Sequence, residues 1–299
     1  MSTERTGDRS AGLDLLPTVD AVTAMLDGQL EAAAAVRSQL SSLADAADAA
    51  AERLGSAAGR LAYVGAGTSG RLAVLDGAEL EPTFGWNRVV YGIAGGMAAL
   101  RTSVEGAEDD EGAAREFVAS AGLSRDDVVI GVSASGTTPY TVAAVCEASA
   151  AGALTVGIAS NAATPLLIAA THPIFIDTGA ELVSGSTRMK AGTAQKIALN
   201  LLSTAIMVRL GRVHDGLMVD MRVSNRKLRT RAITIVAEIA GVTPKDAESS
   251  LDLARNEIKV ATLVAMGLEP EPARRLLAAS HQNLRTAIAS VRGSEVKSS

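Results

Sequence analysis

The chain has 299 residues, of which 47% are hydrophobic and 20% charged, with a formal net charge of −5, 2% aromatic residues and a single cysteine. This length and apolar content exclude a disordered chain and provide for one large core or two moderate ones. One cysteine excludes an internal disulfide framework and a multi-cysteine metal site. The acidic balance and the scarcity of aromatic rings argue against nucleic-acid binding. A small molecule is therefore the expected partner.

The first residues of the chain carry both charge signs and lack the apolar run of a secretory signal. The longest apolar stretches, such as 197–208, are interrupted by polar side chains and are too short to span a bilayer. We therefore expect a cytoplasmic protein, with neither a membrane nor a nucleic acid as its partner.

Residues 20–60 are rich in alanine and leucine with interleaved polar residues, which predicts one or two amphipathic helices. Short apolar, β-branched runs then predict five strands, at 61–64, 89–93, 128–132, 153–158 and 174–176. Helical stretches such as 112–121 and 138–150 lie between the strands. This alternation predicts an α/β fold built on a doubly wound parallel sheet.

After about residue 187 the sequence predicts no further strand, and it predicts long helices at 187–210 and 219–239. Residues 241–289 form a predicted small unit of about three short helices. Thr243 caps the first of them, since threonine accepts a backbone N–H and Pro244 suits the first helical position. No fixed-period repeat is evident, and a stabilising or interface role is the expectation for this unit.

The first informative turn follows the strand at 61–64 and opens a helix. Its glycines satisfy the G-x-G-x-x-G pattern and are Gly65, Gly67 and Gly70. A dinucleotide site would also want an acidic residue about 20 residues on, at the end of the next strand, and the predicted strand ends without one. Thr68 and Ser69 place two hydroxyls at the helix start instead, which favours a phosphate monoester, with simple helix caps as the alternative.

Two further turns repeat this chemistry. The second contains Ser133, Ser135, Gly136 and Thr137, and the third contains Ser184, Ser186, Thr187 and, a little further on, Lys190. Because the carboxyl ends of parallel strands meet at one edge of a sheet, ligands bind there. Three converging hydroxyl turns therefore favour one phosphate pocket over three independent caps.

Acidic residues lie between the first and second turns. Glu79 stands at the end of the helix that the first turn opens, and Glu108 lies in an acidic run before the next helix. A glutamate whose pKa is raised by burial serves as a general acid or base. The alternatives are a solvated acid at a helix end and a solvated helix N-terminus favoured by the helix dipole.

No metal or nucleophile signature accompanies these acids. His172, His214 and His281 are scattered without ligand spacing, so no metal site is expected. Cys146 lies in an apolar helical stretch, which favours a buried and inert thiol.

Taken together, these residues resemble the N-acetylmuramic acid 6-phosphate etherases, enzymes of cell-wall recycling with a sugar-isomerase (SIS) fold. The motifs are GAGTSGR at 65–71, Glu79 with PTFG at 82–85, VEGAED at 104–109, SASG at 133–136 and GSTRMKAGTAQK at 185–196. The resemblance covers nearly the whole chain. It implies an N-terminal helical segment (1–55), an SIS sugar-phosphate domain (56–220) and a C-terminal helical module (221–299).

The resemblance also implies a reaction: elimination of D-lactate from the sugar 6-phosphate, followed by hydration to N-acetylglucosamine 6-phosphate, with no metal or redox cofactor. By motif, Glu79 matches the acid that protonates the departing ether oxygen, and Glu108 matches the second catalytic carboxylate. The three turns would hold the phosphate and sugar hydroxyls. A homodimer with a shared active site is implied as well.

The sequence departs from the family pattern at three places: Glu81 adds an acid near Glu79, Thr137 stands in place of an arginine, and the Arg-Asn-rich N-terminal segment of the family is altered at residues 5–9. Two other functions stay open. One is a non-catalytic sugar-phosphate-binding regulator of the SIS family, and the other is an aldose–ketose isomerase on the same fold. The pair Glu79 and Glu108 favours the etherase, because a regulator has no chemical reason to keep it.

Overall fold

The computed structural model describes residue 3, residues 12–55 and residues 58–295. Of residues 294 and 295 it describes only the backbone. The chain divides into two compact units, residues 1–78 with 88–206 and residues 79–87 with 207–299. The helices of the predicted segment 1–55 therefore belong to the first unit. Residues 207–220 belong to the second unit instead of the predicted segment 56–220, because Val219 and its neighbours pack in the core of the C-terminal helices.

The strands within the described residues are β1 Leu61–Gly65, β2 Val89–Ile93, β3 Val128–Val132, β4 Leu154–Ala159, β5 His172–Phe175, β6 Val213–His214 and β7 Leu217–Met218. The first five form one parallel sheet in the order β2-β1-β3-β4-β5. This confirms the predicted α/β fold and its five strands. β1, β3 and β4 are buried along their whole length, as expected for apolar runs in a sheet covered on both faces.

The α-helices within the described residues are α1 Thr18–Val36, α2 Leu40–Leu54, α3 Gly67–Ala78, α4 Leu80–Phe84, α5 Glu111–Ser120, α6 Pro139–Ala150, α7 Pro165–Ala169, α8 Lys190–Arg209, α9 Arg226–Ala240, α10 Pro244–Leu253, α11 Ile258–Ala265, α12 Pro270–Ala279 and α13 Leu284–Glu295. Ala62 and Val64 of β1 pack with α5 and α6. Tyr63, between them, donates a hydrogen bond of 2.8 Å to Asp76 of α3. Because successive side chains of a strand point to opposite faces, helices cover both faces of the sheet.

The predicted helices are confirmed with shifts at their ends. The region 20–60 forms α1 and α2, which a short 3₁₀-helix at Arg37–Gln39 separates. The predicted helix 219–239 begins only at Arg226, because the side chain of Asn225 caps it by accepting the N–H of Leu228 at 2.9 Å. An asparagine at this position satisfies one of the unpaired amides of the first helical turn.

The prediction of no strand beyond the third turn is wrong. β6 and β7 pair as an antiparallel hairpin in the second unit. Asp215 and Gly216 close the hairpin with φ angles of 47° and 79°, and Asp-Gly is a preferred pair for such two-residue turns. Strands of two residues carry too little alternation to be recognised from sequence.

The predictions of about three C-terminal helices and of no repeat are also wrong. Four helices form two helical hairpins, α10–α11 and α12–α13, and their starts at Pro244 and Pro270 lie 26 residues apart. The turn of the first hairpin holds Arg255 and Asn256 at φ 54° and 65°. The same offset leads to His281 and Gln282, at φ 51° and 61°. The module is therefore a tandem repeat whose two copies share backbone conformation more than residue identity.

Two other predictions about this module are confirmed. The hydroxyl of Thr243 accepts the N–H of Asp246 and caps α10, and Pro244 occupies its first turn. Elsewhere, the prediction of a buried Cys146 is wrong, since the thiol is exposed on α6. Its apolar neighbours in the sequence lie on the buried side of the same helix. Within the described residues, none of the helices has the length and hydropathy needed to cross a bilayer.

Candidate functional site

The first and second turns lie where the direction of the sheet changes. The chain goes from β1 to β2 on one side, whereas β3 lies on the other side of β1, with Gly65 in register with Val132. The turns that follow β1 and β3 therefore start at the same level and next to each other. In open α/β sheets this switch point is where ligands bind.

Glycines allow β1 and α3 to approach closely in the first turn. A Cβ on Gly70 would lie 2.8 Å from the carbonyl oxygen of Gly65, and the turn between them uses a left-handed residue, Gly67, at φ 54°. Thr68 is half-buried, and the buried Ser69 hydroxyl donates to Gln195 Oε1 at 2.9 Å. The start of α3 is therefore fixed against α8.

The second turn is organised around the hydroxyl of Ser133. This oxygen accepts the N–H of Gly136 at 3.0 Å and lies 3.2 Å from the hydroxyl of Ser135. Ser135 in turn accepts the N–H of Thr137 at 3.2 Å. Gly136 has a φ of 72° and lies so close to Thr164 that a Cβ would overlap its side chain. The turn is therefore held in one conformation before any ligand arrives.

The third turn leads into α8. Ser184 is exposed, and Ser186 and Thr187 are half-buried. The carboxylate of the buried Glu181 accepts the N–H groups of Lys190 at 2.9 Å and of the next residue at 3.0 Å. A negative charge at a helix N-terminus is favourable, so Glu181 fixes where α8 begins.

Lys190 points toward α1. Its Nζ lies 3.0 Å from Glu31 Oε2, and its side chain packs against Gly28. Nearby, Thr193 donates a hydrogen bond to Gln29. The predicted cation of the third turn is therefore engaged by α1 in this structure.

The three turns come together at one edge of the sheet. Gln195 joins the third turn's helix to Ser69, and a Cβ on Gly192 would lie 3.6 Å from the methyl carbon of Thr68. The β1–β3 register brings the second turn beside the first. The first turn therefore lies beside both the second turn and the start of α8, and contact of the predicted binding residues with a substrate stays a prediction.

Gln195 and Glu181 belong to this site although the sequence did not single them out. Gln195 lies within the run at 185–196, one helical turn after Ala191. That position places it on the same helix face as Ala191, near the start of the helix. Its Nε2 is buried and makes no hydrogen bond to the described residues. Glu181 could be recognised only as an acid shortly before a helix start.

A buried polar cluster lies further along α3. Asp76 accepts hydrogen bonds from Tyr63 at 2.8 Å and from Asn200 at 3.0 Å. Burial raises the pKa of Asp76, although hydrogen bonds from Tyr63 and Ser203 oppose this effect. The cluster connects β1, α3 and α8, the three elements that also carry the first and third turns.

The two acids singled out from the sequence are both exposed. Glu79 follows α3 directly and precedes α4, where its carbonyl oxygen accepts the N–H of Thr83 at 3.3 Å. Glu108 lies in a short 3₁₀-helix, Ala107–Asp109, between β2 and α5. Glu79 belongs to the second unit, whereas Glu108 belongs to the first unit.

The segment of Glu108 borders a cavity of about 710 Å³ at the carboxyl end of β2. Gly95, Ala107, Asp110 and Tyr140 contribute to its wall. Burial raises the pKa of Tyr140, and the carboxylate of Asp110 adds to this effect. The volume is in the range of sites that hold small molecules. Among the described residues, no group of three or more His, Cys, Asp or Glu side chains has a metal-site arrangement.

Comparisons with known proteins agree with this architecture. The family model for the glucokinase regulatory protein N-terminal SIS domain matches residues 42–150, and that for the SIS domain matches residues 109–205. A phosphoheptose isomerase from Francisella tularensis has a similar fold, with a TM-score of 0.50 at 19% identity over 64% of this chain and 100% of that chain. The first unit thus has the SIS fold.

Two relatives decide the family. N-acetylmuramic acid 6-phosphate etherase of Deinococcus radiodurans is 48% identical over 92% of this chain and 91% of its own length. The etherase of Streptomyces coelicolor is 48% identical over 98% of this chain and 95% of its own length. The chain belongs to the N-acetylmuramic acid 6-phosphate etherase family. The resemblance drawn from the motifs is confirmed, and the etherase family also accounts for the C-terminal module, which lies within the matched length.

Proposed function

We propose that the chain cleaves the lactyl ether of N-acetylmuramic acid 6-phosphate and releases N-acetylglucosamine 6-phosphate and D-lactate, in peptidoglycan recycling in the cytoplasm. Near-complete coverage by etherases at 48% identity carries this proposal. The three hydroxyl turns at the switch point support it, because they suit the phosphate common to substrate and product.

The reaction is an elimination followed by hydration. Opening of the sugar ring exposes an aldehyde at C1, which acidifies the proton at C2. A base removes this proton, the ether oxygen leaves C3 with its electron pair, and an acid protonates that oxygen as D-lactate departs. Water then adds its oxygen to C3, and a proton returns to C2. Positioned acids and bases accelerate such proton transfers by about 10²–10⁴-fold.

Glu79 is proposed as the acid that protonates the ether oxygen, and Glu108 as the second catalytic carboxylate. Hydroxyl and amide groups of the three turns hold the phosphate and the sugar hydroxyls. The proposed contact residues are Gly67, Thr68, Ser69, Gly70, Ser133, Ser135, Gly136, Thr137, Ser184, Ser186, Thr187 and Lys190. In this assignment Lys190 contacts the substrate while it remains paired with Glu31.

A homodimer completes the proposal. Helix α1 and the residues before it expose an apolar stripe, Leu15, Val19, Val22, Leu26 and Leu30, whose side chains are 56–83% exposed. The opposite face of α1 buries Gly28 and Ala32 and carries Glu31 beside Lys190. A helix this apolar needs a covering partner, and a second copy placed there would lie close to the third turn.

The test is incubation of the purified protein with N-acetylmuramic acid 6-phosphate and assay of free D-lactate and of the sugar product. The proposal predicts both N-acetylglucosamine 6-phosphate and D-lactate. Binding without lactate at any pH would instead indicate a regulator, and a ketose phosphate without lactate would indicate an isomerase. For Glu108, the probe is solvent deuterium exchange at C2. Exchange and lactate release at wild-type rates in Glu108→Gln would contradict its role.

A further inference from the structure

The segment that carries Glu79 is anchored in the second unit. Residues 79–87 pack with residues 207–299, and α4 ends at Gly85 in a left-handed conformation, φ 62°. Gly85 lies so close to the main chain of Asp220 that a Cβ would overlap its carbonyl oxygen. The N–H of Arg222 also donates to the carbonyl oxygen of Pro82 at 3.4 Å. The turn around Asp220 therefore packs against the main chain of the Glu79 segment.

Arg212 contacts the same segment on either side of Gly85. Its Nη1 donates to the carbonyl oxygen of Phe84 at 2.7 Å, and its guanidinium lies 5.0 Å from the centre of the Trp86 ring. The same Nη1 lies 3.8 Å from Asp220 Oδ2. A guanidinium that stacks on a ring and donates in its own plane is fixed in two directions. Arg212 thus ties the end of α4 to Asp220.

Lys259 supplies a second cation to Asp220. Its Nζ lies 2.6 Å from Asp220 Oδ2 and donates to the carbonyl oxygen of Gln282 at 2.8 Å. Lys259 is only 3% exposed, and a buried ammonium is tolerated only with such partners. The carboxylate of Asp220 is therefore shared by Arg212 on the side of the Glu79 segment and by Lys259 on the side of the helical repeat.

The tandem repeat contains a second copy of this cation. Arg285 lies 26 residues after Lys259 at the same place in α13, and it pairs with Asp215 of the β6–β7 hairpin. Both members of that pair are largely exposed, at 66% and 64%. Each repeat thus directs a cation to the stretch 213–220, but only the first copy buries its cation against the support of the Glu79 segment.

We propose that Arg212, Asp220 and Lys259 are positioning residues that hold Glu79 in place, and that this is the role of the C-terminal helical repeat in the reaction. The inference rests on the proposed function, since it assumes that Glu79 protonates the ether oxygen. A catalytic group must be held to within about 0.5 Å of its productive geometry. Glu79 is exposed and lies in a short segment. The contacts among Arg212, Asp220 and Lys259 restrict the position of that segment.

The experiment compares Lys259→Met with Arg285→Met, the same change at the equivalent position of the second repeat, in the full-length protein. For Lys259→Met we expect kcat for lactate release to fall by about tenfold or more, with KM changed by less than about twofold. Deuterium exchange at C2 should continue at nearly the wild-type rate, because it precedes the step that Glu79 assists. Arg285→Met should retain wild-type lactate release, and Lys259→Arg should recover part of the lost rate.

Asp220→Asn, which keeps the size of the side chain, provides the same test should Lys259→Met fail to fold. Wild-type kcat in folded Lys259→Met or Asp220→Asn overturns the inference. A parallel loss of exchange and lactate release, or an equal loss in Arg285→Met, also overturns it, since either result indicates general destabilisation. The proposed function fails separately, when Glu79→Gln retains wild-type lactate release or the wild-type protein releases none.

Discussion

Glu79 and Glu81 stand two residues apart in one short segment, and they have different surroundings. Glu81 forms an ion pair with Arg222, whereas Glu79 precedes α4 without helix-capping by its side chain. The structure thus gives Glu81 a partner within its own unit. This distinction agrees with the motif, which matches Glu79 with the catalytic acid of the family.

The contrast between Glu79 and Glu81 can be tested by substituting each of them. Glu79→Gln removes the acid but keeps the size of the side chain, and we expect lactate release to fall by about 10²-fold or more while substrate binding remains. Glu81→Gln serves as the matched control and should retain most of the activity. Lactate release and substrate affinity are measured for both variants. An active Glu79→Gln, or a Glu81→Gln with the larger loss, would refute the assignment.

Asp127 provides a residue-scale test of stability. It is buried and bonds to Arg60 and to the N–H of Ser124, at 2.9 Å in each case. Burial alone would raise the pKa of Asp127, but the hydrogen bonds from Arg60 and Ser124 outweigh it and lower the pKa. A lowered pKa in the folded state means that the ionised carboxylate stabilises the fold.

The ionised carboxylate of Asp127 makes the stability of the fold depend on pH. The contribution of Asp127 is fully present above its unfolded pKa, about 4, and is lost as the pH falls through the lower folded pKa. Asp127→Asn should therefore cost about 1–3 kcal/mol in the free energy of unfolding at pH 7 and a smaller amount in strong acid. Urea unfolding at several pH values measures this. If the loss of unfolding free energy in Asp127→Asn is the same at every pH, the charge of Asp127 does not contribute to stability.

At the scale of elements, the first turn depends on close packing of β1 against α3. A Cβ on Gly70 would meet main-chain atoms of Gly65 at 2.8 and 2.9 Å, and backbone cannot move aside as a flexible side chain can. We expect Gly70→Ala to lower the free energy of unfolding by about 1–3 kcal/mol and to weaken substrate binding. In α13, Gly293 has open space around it, so Gly293→Ala should be neutral or stabilise by up to about 1 kcal/mol. Equal effects of the two changes on urea unfolding would contradict this account.

The five strands of the sheet were predictable because each is a short apolar run, and the three inner strands are buried on both faces, which is typical of a parallel sheet. The hairpin at Asp215 could not be predicted, because strands of two residues are too short to show an alternation of apolar and polar side chains. The tandem repeat escaped detection because its copies share prolines, small buried residues and left-handed turns more than side-chain identity. The left-handed turns become visible only in backbone angles such as those of Arg255 and His281.

The candidate site also has features that the sequence predicts and features that it does not. Hydroxyls and glycines at strand ends are local signals, so the three turns could be predicted from the sequence. The partners that fix them lie far away in the chain: Gln195 bonds to Ser69 across 126 positions, and Lys190 to Glu31 across 159. Which distant side chain meets a turn depends on how helices pack, and a single sequence does not contain that information. The exposed Cys146 was missed because an apolar helix still has an outer face.

At the scale of the whole molecule, the apolar stripe of α1 predicts a dimer. We expect Leu26→Asp, in the middle of that stripe, to shift the protein to monomers and to reduce lactate release, because a charge in a buried apolar interface is costly. Leu253→Asp is the control, since Leu253 is exposed to a similar degree, 61% against 57%, but lies on α10. Analytical ultracentrifugation measures the mass of each variant. A Leu26→Asp dimer of wild-type affinity would exclude this face as the interface.

The proposed reaction breaks the bond between C3 of the sugar and the ether oxygen, and reaction in ¹⁸O-labelled water shows which bond of the ether is broken. Elimination followed by hydration places one labelled oxygen at C3 of N-acetylglucosamine 6-phosphate and leaves the lactate with its original ether oxygen. Mass spectrometry of both products distinguishes this outcome. Labelled lactate with an unlabelled sugar would contradict the proposed reaction, because the bond on the lactate side would then have been broken.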